Sequence, residues 1–425
     1  MSPRSKKGLA LSEVPDTMHV LFVHQNYPAQ FGHIARHLVS HLGWRCTFVT
    51  QKSDGGTYPG VERILFTPRG GATATTHYYS RHFENGMANA DGVYVALKAR
   101  PDIRPDLIVG HSGFGSTLFL RDLYPTAPII NLFEFYYRAS GGDLDFRPDF
   151  PSDEATRLRL RPRNAVFLCD LDNCDLGYCP TQWQRSRLPA EFQSKLRVVF
   201  DGIDTTFWKP QPVPDRTVAG RAIPSNTKVV TYASRGMESM RGFDLFMKMA
   251  KRLGDRRPDV VFVVVGQDRV VYGGDERTTG SQSFKEWVLA QDNYDMSRFI
   301  FTGLLRKSEL AQLFCLSDLH IYLTVPFVLS WSLVNALACG ATVLASDTAP
   351  VREMIEHGRN GLLTDFFDSD TMADVADRVL SVPADYAHLS PAAVATVRER
   401  YSLDVCLPQM LAMYEDALRL RPAPA

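Results

Sequence analysis

The feature that most constrains this chain is a rhythm of short, wholly apolar runs, each followed by a turn and a helix-period segment. Met18–His24 reads MHVLFVH, and the QFGHIARHLVSHLGW that follows sets Phe31, Ile34, Leu38 and Leu42 at helical spacing. RCTFVTQ, ERILFT, PDLIVGH and APIINLF are further runs of the same kind. A strand with no polar face has to be covered on both sides, which is the condition of a parallel sheet with helices on each face. A helix is expected over about Asp153–Leu171, kinked or broken at Pro162, because proline lacks the amide hydrogen and clashes with the preceding turn. The strand GYCPT, the run LRVVF and the turn Asp201-Gly202 come next.

Phe207–Thr217, FWKPQPVPDRT, holds three prolines and interrupts the rhythm, so it reads as a domain linker. The alternation then restarts with TKVVTYA, a helix over about Gly242–Leu253, VVFVVVG, a helix near Phe284–Ala290 and RFIFTG. A helix near Lys307–Leu316, the strand DLHIYLT, a helix near Ser330–Cys339 and the strand ATVLAS complete it. The expected division is a disordered tail over 1–17, a first α/β domain over 18–206, the linker 207–217 and a second α/β domain over 218–400. The tail 401–425 reads as an amphipathic helix with a proline inside it, expected to kink and to cross back to the first domain. Ligands of open α/β sheets bind outside the carboxyl ends of the strands. Two such domains facing each other leave a cleft there, which points to two substrates.

Composition narrows the function classes. At 425 residues the chain exceeds what one hydrophobic core serves. Its 47 basic and 47 acidic side chains cancel, which argues against nucleic acid as a partner, because a phosphate-reading surface leaves a basic excess. The first residues are basic, but no apolar stretch follows as in a secretory signal. Seven cysteines in a chain of this length then read as free thiols, and a reducing, cytoplasmic setting is expected. No apolar run reaches the length of a membrane span.

Two constellations carry chemistry. Asp318–Ser346, DLHIYLTVPFVLSWSLVNALACGATVLAS, sets a strand ending at Thr324, a loop through Pro326, and a helix opening at Ser330-Trp331-Ser332. Serines at a helix start cap well, and the amides there suit a phosphate. In Thr231–Asp244, TYASRGMESMRGFD, Arg235 sits at a strand end and Arg241 just before a helix. Two guanidiniums at the lip of a cleft can hold a diphosphate by bidentate, charge-assisted bonds.

With these motifs the chain resembles the retaining glycosyltransferases of family four, and the resemblance runs from about Met18 to Arg419. It implies the GT-B fold, two doubly wound Rossmann-like domains facing across a cleft. It also implies a nucleoside-diphosphate sugar as co-substrate, an acceptor that the sequence does not identify, and no further cofactor or metal. In that family an Arg and, about six residues on, a Lys-Gly clamp the donor diphosphate; Arg235 and Arg241-Gly242 match them. VVFDGIDTTFWKP resembles the Asn-Gly-Val-Asp hinge, and HGRNGLL resembles the late loop. Where the family's signature has two glutamates, this chain has Phe327 and Asn335, the latter in Asn335-Ala-Leu-Ala-Cys339-Gly340. Some branches of the family are similar in carrying Phe-Val-Leu-Ser-Trp-Ser in place of the first. Phenylalanine cannot accept a sugar hydroxyl bond, whereas asparagine can still bind ribose hydroxyls. Carried over, the pattern places the ribose at Asn335, the base near Phe301 and Leu304, and the diphosphate at Arg235, Arg241 and the amides of Ser330, Trp331 and Ser332. The family's active-site histidine follows the strand over Pro128–Phe133, where Glu134 stands instead; His111, ending PDLIVGH, is the nearest other polar candidate. The usual Gly-Gly loop is replaced by NYPAQFGH, and His24, Asn26 and Gln30 fall on the acceptor side of the first strand-to-helix turn.

Blander readings stand beside these. Asn335 lies three residues after Ser332 and fits a capping box. Asp170-Leu-Asp172 imitates a metal motif of the other glycosyltransferase fold but follows a helical stretch. Cys169, Cys174 and Cys179 are spaced too widely for a zinc pair and read as thiols. RLRLRPR, Arg157–Arg163, reads first as a solvated helix face, with an anionic lipid or a partner as the alternative, so peripheral membrane contact stays open. Two other functions share the architecture: a sugar-nucleotide 2-epimerase, and a catalytically silent binding partner.

Overall fold

The computed structural model describes residues 17–280 and 283–420. The tail expected over the first residues therefore lies almost wholly outside the described residues. Seven strands form the first sheet: β1 His19–Val23, β2 Arg45–Thr50, β3 Val61–Leu65, β4 Leu107–His111, β5 Ile129–Leu132, β6 Leu176–Cys179 and β7 Leu196–Val198. Their order is β3-β2-β1-β4-β5-β6-β7, and every pairing is parallel. A short antiparallel pair follows, β8 Thr217–Val218 with β9 Arg221–Ala222. The second sheet comprises β10 Lys228–Gly236, β11 Val260–Gln267, β12 Phe299–Gly303, β13 Leu319–Tyr322, β14 Val343–Ser346 and β15 Leu362–Thr364. It is ordered β12-β11-β10-β13-β14-β15, again all parallel. The strand order reverses between β1 and β4 in one sheet and between β10 and β13 in the other, and these switch points open the crevices where ligands enter doubly wound sheets.

The central strands β1, β4, β5 and β13 are buried along their whole length, as their apolar runs require. Each sheet carries an apolar cluster on each face. Several local expectations are revised. The helix expected over about 153–171 is two helices, Glu154–Arg163 and Ala165–Asn173. The break falls at Asn164, whose side chain accepts from Tyr137 N at 3.1 Å and donates to Tyr137 O at 2.7 Å, while Pro162 stays inside the first helix. Leu403–Arg419 is one helix with Pro408 inside it. The helix Arg81–Lys98, not expected from the sequence, buries Gly86, Ala88, Ala90, Gly92, Val93 and Leu97. β15 takes the end of HGRNGLL, expected only as a loop.

The chain passes between domains twice. Val199 packs in the first domain's core while Phe200, Ile203 and Trp208 already pack in the second's, so the crossing precedes the proline-rich segment. On the return, Tyr401 packs in the second core, and Met410, Met413, Tyr414 and Ala417 pack in the first. The two passages pair: Ile203 N donates to Tyr401 O at 2.7 Å and Leu403 N to Ile203 O at 2.9 Å.

A third connection is an arm over residues 138–152 that leaves the first domain and lies on the second. Phe146 sits 5.3 Å from Phe366, and Phe150 sits 5.7 Å from Phe284, centroid to centroid. Arg147, 4% exposed, donates to Asp244 Oδ1 and Oδ2 at 2.8 and 2.7 Å and to Ser239 O at 2.9 Å.

Candidate functional site

The carboxyl ends of the two sheets bring two groups of side chains to one cleft. On the first domain, His24 follows β1, His111 ends β4 and Glu134 lies just beyond β5. Gln30 Nε2 donates to Glu134 Oε1 at 3.0 Å, and His111 Nε2 lies 3.5 Å from Glu134 Oε2. The two residues named as alternatives for the missing histidine therefore act as a pair. The His24 ring meets the His111 ring edge-on at 4.9 Å, and its Nδ1 accepts from Asn26 N at 2.8 Å, which leaves Asn26's own side chain exposed.

The electrostatics follow from burial and pairing. Burial pulls the His111 pKa down, but the hydrogen bond and charge of Glu134 outweigh it and the net shift is upward. Burial pushes Glu134 up, yet His111, Gln30 and the positive charge of Arg235 bring it below the ordinary carboxylate value. His24 lies well below the ordinary histidine value, first by burial and then by the neighbouring His111, so it is neutral near pH 7.

The loop that carries His111 is fixed from beneath by Asp170. Its carboxylate accepts from Ser112 Oγ at 2.8 Å, Gly113 N at 3.0 Å and Thr117 Oγ1 at 3.1 Å. Gly113 has φ +93° and its missing side chain leaves room for the Phe167 ring, so no other residue fits this turn. Asp172 is exposed. The resemblance to a metal motif thus gives way to a buried carboxylate that shapes a loop. Among the described residues no group of three or more His, Cys, Asp or Glu is arranged to hold a metal ion. Cys169, Cys174 and Cys179 are free thiols.

On the second domain, Arg235 is exposed near the end of β10 and donates to Tyr272 OH at 3.3 Å. Arg241 closes the 3-10 turn Ser239–Arg241 and is 5% exposed. It donates to Thr324 Oγ1 at 2.7 Å and Val328 O at 3.0 Å, with its guanidinium 5.1 Å from the Tyr272 ring centroid and 5.8 Å from that of Phe327. Among the described residues no carboxylate lies within ion-pair distance of it, which is unusual for a buried cation. Gly242 follows with φ +61°, where a side chain would strike Leu323 and Phe366. Tyr272 is held over this turn by Glu238, whose Oε2 accepts from the amides of Val271, Tyr272 and Gly273 at 2.9, 2.8 and 3.1 Å.

The helix Trp331–Ala338 begins one residue later than expected, with Ser330 as its N-cap accepting from Ser332 N. Ser330 N itself donates to Tyr322 OH at 2.9 Å, so of the three amides assigned to a phosphate only that of Trp331 is outside a bond within the loop. Asn335 is therefore beyond the third helical position and completes no capping box. Its Oδ1 is buried without a hydrogen-bond partner. Phe327 packs on Phe135 of the first domain at 4.5 Å. Phe301 lies inward beside Phe299, with Lys285 Nζ 4.5 Å from its ring centroid, while Leu304 is 59% exposed past the end of β12. These two do not meet the rest of the group.

Sequence reasoning passed over Asp201, read only as a turn. Trp331 Nε1 donates to Asp201 Oδ2 at 3.2 Å, just past the crossing between the domains, and Oδ1 is buried without a partner. Burial and then the charge of Glu134 push its pKa up to about 7. Arg147 was likewise unmarked, since SGGDLDFRPDF reads as any polar loop. Glu134, Asp201, Val328 and Trp331 line a space of about 10 Å³, about what a single water needs. A larger cavity of about 410 Å³ is lined by Arg352, Glu356, His357, Asn360, Thr396 and Arg400, none at the strand ends described above.

Two facing doubly wound domains with this cleft define the GT-B class of glycosyltransferases. Solved structures agree: sucrose-phosphate synthase from Thermosynechococcus elongatus superposes with a TM-score of 0.72 at 17% identity, covering 95% of this chain and 99% of that one. HepE from Anabaena, solved in complex with UDP and glucose, gives 0.65 at 17% identity, covering 94% of this chain and 100% of that one. Within that class the chain belongs to the family 4 glycosyltransferases: the profile described as glycosyl transferase family 4 group matches residues 42–208, and that described as glycosyl transferases group 1 matches residues 215–395. Among curated relatives, α-maltose-1-phosphate synthase of Mycolicibacterium smegmatis is 28% identical over 203 residues, 46% of this chain and 50% of that protein. D-inositol 3-phosphate glycosyltransferase of Corynebacterium jeikeium is 26% identical over 219 residues, 49% of this chain and 50% of that protein. The matched stretch thus spans about half the length of these relatives. No described helix is long and apolar enough to cross a membrane.

Proposed function

We propose that this glycosyltransferase moves a sugar from a nucleoside-diphosphate sugar to an acceptor with retention of anomeric configuration and without a metal ion. The observation that carries the reading is Arg241, a buried guanidinium with no carboxylate partner at the mouth of the second sheet's crevice, beside exposed Arg235. A buried charge of this kind is costly unless an anion meets it. Departure of a diphosphate builds negative charge, and fixed cations stabilise that charge most in the transition state. Arg235, Arg241 and the Trp331 amide supply this without an ion. Asn335, with its unpartnered buried oxygen, is the ribose contact. Glu134 is engaged by His111 and Gln30, and Asp201 is partly protonated near neutral pH, so neither is set up as a nucleophile. The acceptor then attacks from the face the diphosphate leaves, and the departing phosphate takes its proton. His24, Gln30 and the His111–Glu134 pair line the acceptor's side.

A 2-epimerase reading draws support from the same two carboxyl groups, Glu134 and Asp201, which line one space and could serve as acid and base. One experiment separates the readings. The protein is incubated with a panel of sugar nucleotides and the products are resolved as free nucleoside diphosphate, transferred sugar or epimer. Arg241→Met in the same assay should lower kcat/KM by about a hundredfold, on the scale of removing one oxyanion donor. Its melting temperature should hardly change, because an uncompensated buried charge leaves with the side chain. Epimer without nucleoside diphosphate, or unchanged turnover in Arg241→Met, would overturn the proposal.

A further inference from the structure

The arginine-rich stretch Arg157–Arg163 separates into two faces. Arg157 and Arg161 are exposed, while Arg159 and Arg163, one helical turn apart, are partly buried against the first domain. Arg163 Nη2 donates to Tyr137 OH at 2.6 Å and its guanidinium lies 3.7 Å from that ring's centroid. Arg159 Nη1 donates to Tyr78 OH at 3.3 Å and lies 5.0 Å from the Tyr78 ring, which Arg81 also approaches at 6.0 Å. His82 Nε2 is 3.2 Å from Gly113 O, and its pKa is pushed down to about 4 by burial, then by the charge of Arg163, with Arg159 adding to it.

Among the described residues neither Arg159 nor Arg163 has a carboxylate within 4.0 Å, although Arg147, Arg256 and Arg257 each have one. The acid that acts on Arg163 from further off is Asp143, itself pushed up to about 6 by burial. Like charges one turn apart on a helix repel. Here two guanidinium planes are steered by aromatic rings and left without a counter-charge. The planar fork of arginine matches a phosphate or carboxylate by paired hydrogen bonds.

The position gives this cluster its meaning. Gly113, bonded to His82, lies two residues beyond His111, and Tyr137, under Arg163, lies three residues beyond Glu134. The same two loops that present the His111–Glu134 pair therefore touch this cluster, one through Gly113 on His82 and the other through Tyr137 on Arg163. We propose that Arg159 and Arg163 bind an anionic group, a phosphate monoester or a small oxyanion of like shape, carried by the acceptor, with His82 tying the helix Arg81–Lys98 to Gly113 beside them. This deepens the transferase reading and rests on it: the acceptor hydroxyl reaches His111 and Glu134 while its charged end is held at the helix Glu154–Arg163.

Inorganic phosphate is the probe. Calorimetric titration should show a phosphate site on the full chain besides the one expected at Arg235 and Arg241, weakened at least tenfold in Arg159→Gln/Arg163→Gln and unchanged in Arg157→Gln/Arg161→Gln, the exposed pair of the same helix. The charge-keeping pair Arg159→Lys/Arg163→Lys should recover part of the binding, which excludes a folding defect as the cause. Sedimentation with phosphatidic acid vesicles, set against phosphatidylcholine vesicles, tells the sources apart: retention lost in Arg159→Gln/Arg163→Gln marks a lipid-borne phosphate, and absence of retention with phosphate binding intact marks a soluble one. Phosphate binding untouched by the Arg159→Gln/Arg163→Gln substitution, or weakened as much in Arg157→Gln/Arg161→Gln, overturns the site. UDP, ADP, GDP and dTDP are titrated into the same proteins. Failure of all four to bind wild type while phosphate still does would count against the transferase reading alone.

Discussion

Burial, helped by the charge of Glu134, holds the pKa of Asp201 up at about 7, so this acid changes charge near neutrality. A folded-state pKa above the ordinary value of 3.8 means the folded chain holds the proton more tightly than the unfolded one. The stability linked to it is complete below 3.8 and is lost as pH rises toward 7. His111 has the same sign, its contribution fading as pH climbs through a folded value above 6.5. Glu134 has the opposite sign: its contribution is present above 4.5 and fades as pH falls through a lower folded value. Asp201→Asn keeps the shape and an oxygen for Trp331 but removes the ionisation. The melting temperature is expected to match wild type near about pH 4 and to exceed it by a few degrees near about pH 8, reflecting at most on the order of 4 kcal/mol. Scanning calorimetry across that range checks it, and parallel pH profiles for the two proteins would remove Asp201 as the titrating group. Some of this was legible in the sequence: Arg235 and Arg241 bracket a strand-to-helix turn, and that placement alone marks them. The pairing of His111 with Glu134 was not, because it depends on two loops meeting after β4 and β5. Asp201 was hidden for a related reason, since an aspartate before a glycine looks like any turn until the second domain covers it.

The apolar strands were readable because a strand buried on both faces leaves no polar residue in its run, as in β1 and β13. The helix Arg81–Lys98 escaped notice although Phe83, Met87, Tyr94 and Leu97 stand at helical spacing, because Gly86 and Gly92, poor helix formers, interrupt it where it approaches its neighbours closely: a side chain at Gly92 would stand 2.3 Å from Thr67 O. The arm over 138–152 escaped too, since its aromatic residues pack on the other domain and not on its own. Arg147 is its deepest anchor, and removing it strands Asp244, 5% exposed by side chain, as a buried charge. Arg147→Ala is expected to cost about 3–5 kcal/mol. Arg147→Ala with Asp244→Ala should cost less than the sum of the two single changes, because the second removes the charge that the first left unpaired. Denaturant melts of the four proteins measure that coupling, and strictly additive losses would show that the two side chains do not depend on each other. Ser239 O, the third partner of Arg147, belongs to the turn that carries Arg241, so donor affinity should fall along with stability.

For the whole molecule, turnover is expected to survive a strong chelator, because the cations that meet the diphosphate are covalently part of the chain. Activity lost in EDTA and regained with magnesium or manganese would overturn that expectation. The small space among Glu134, Asp201 and Trp331 does not itself hold a sugar, so a donor reaching these side chains is expected to need the two domains to part. How they part is set by the paired passages at Ile203 and Ser402. Two bodies joined by a single thread can spin about it as well as bend. Joined by two threads laid side by side and bonded to each other, they are expected to lose the spin and keep the swing, as a door does on a hinge with two leaves, with the arm over 138–152 riding on the second domain. Opening and closing along one arc would return Arg241 toward the His111–Glu134 side in the same relative orientation each time.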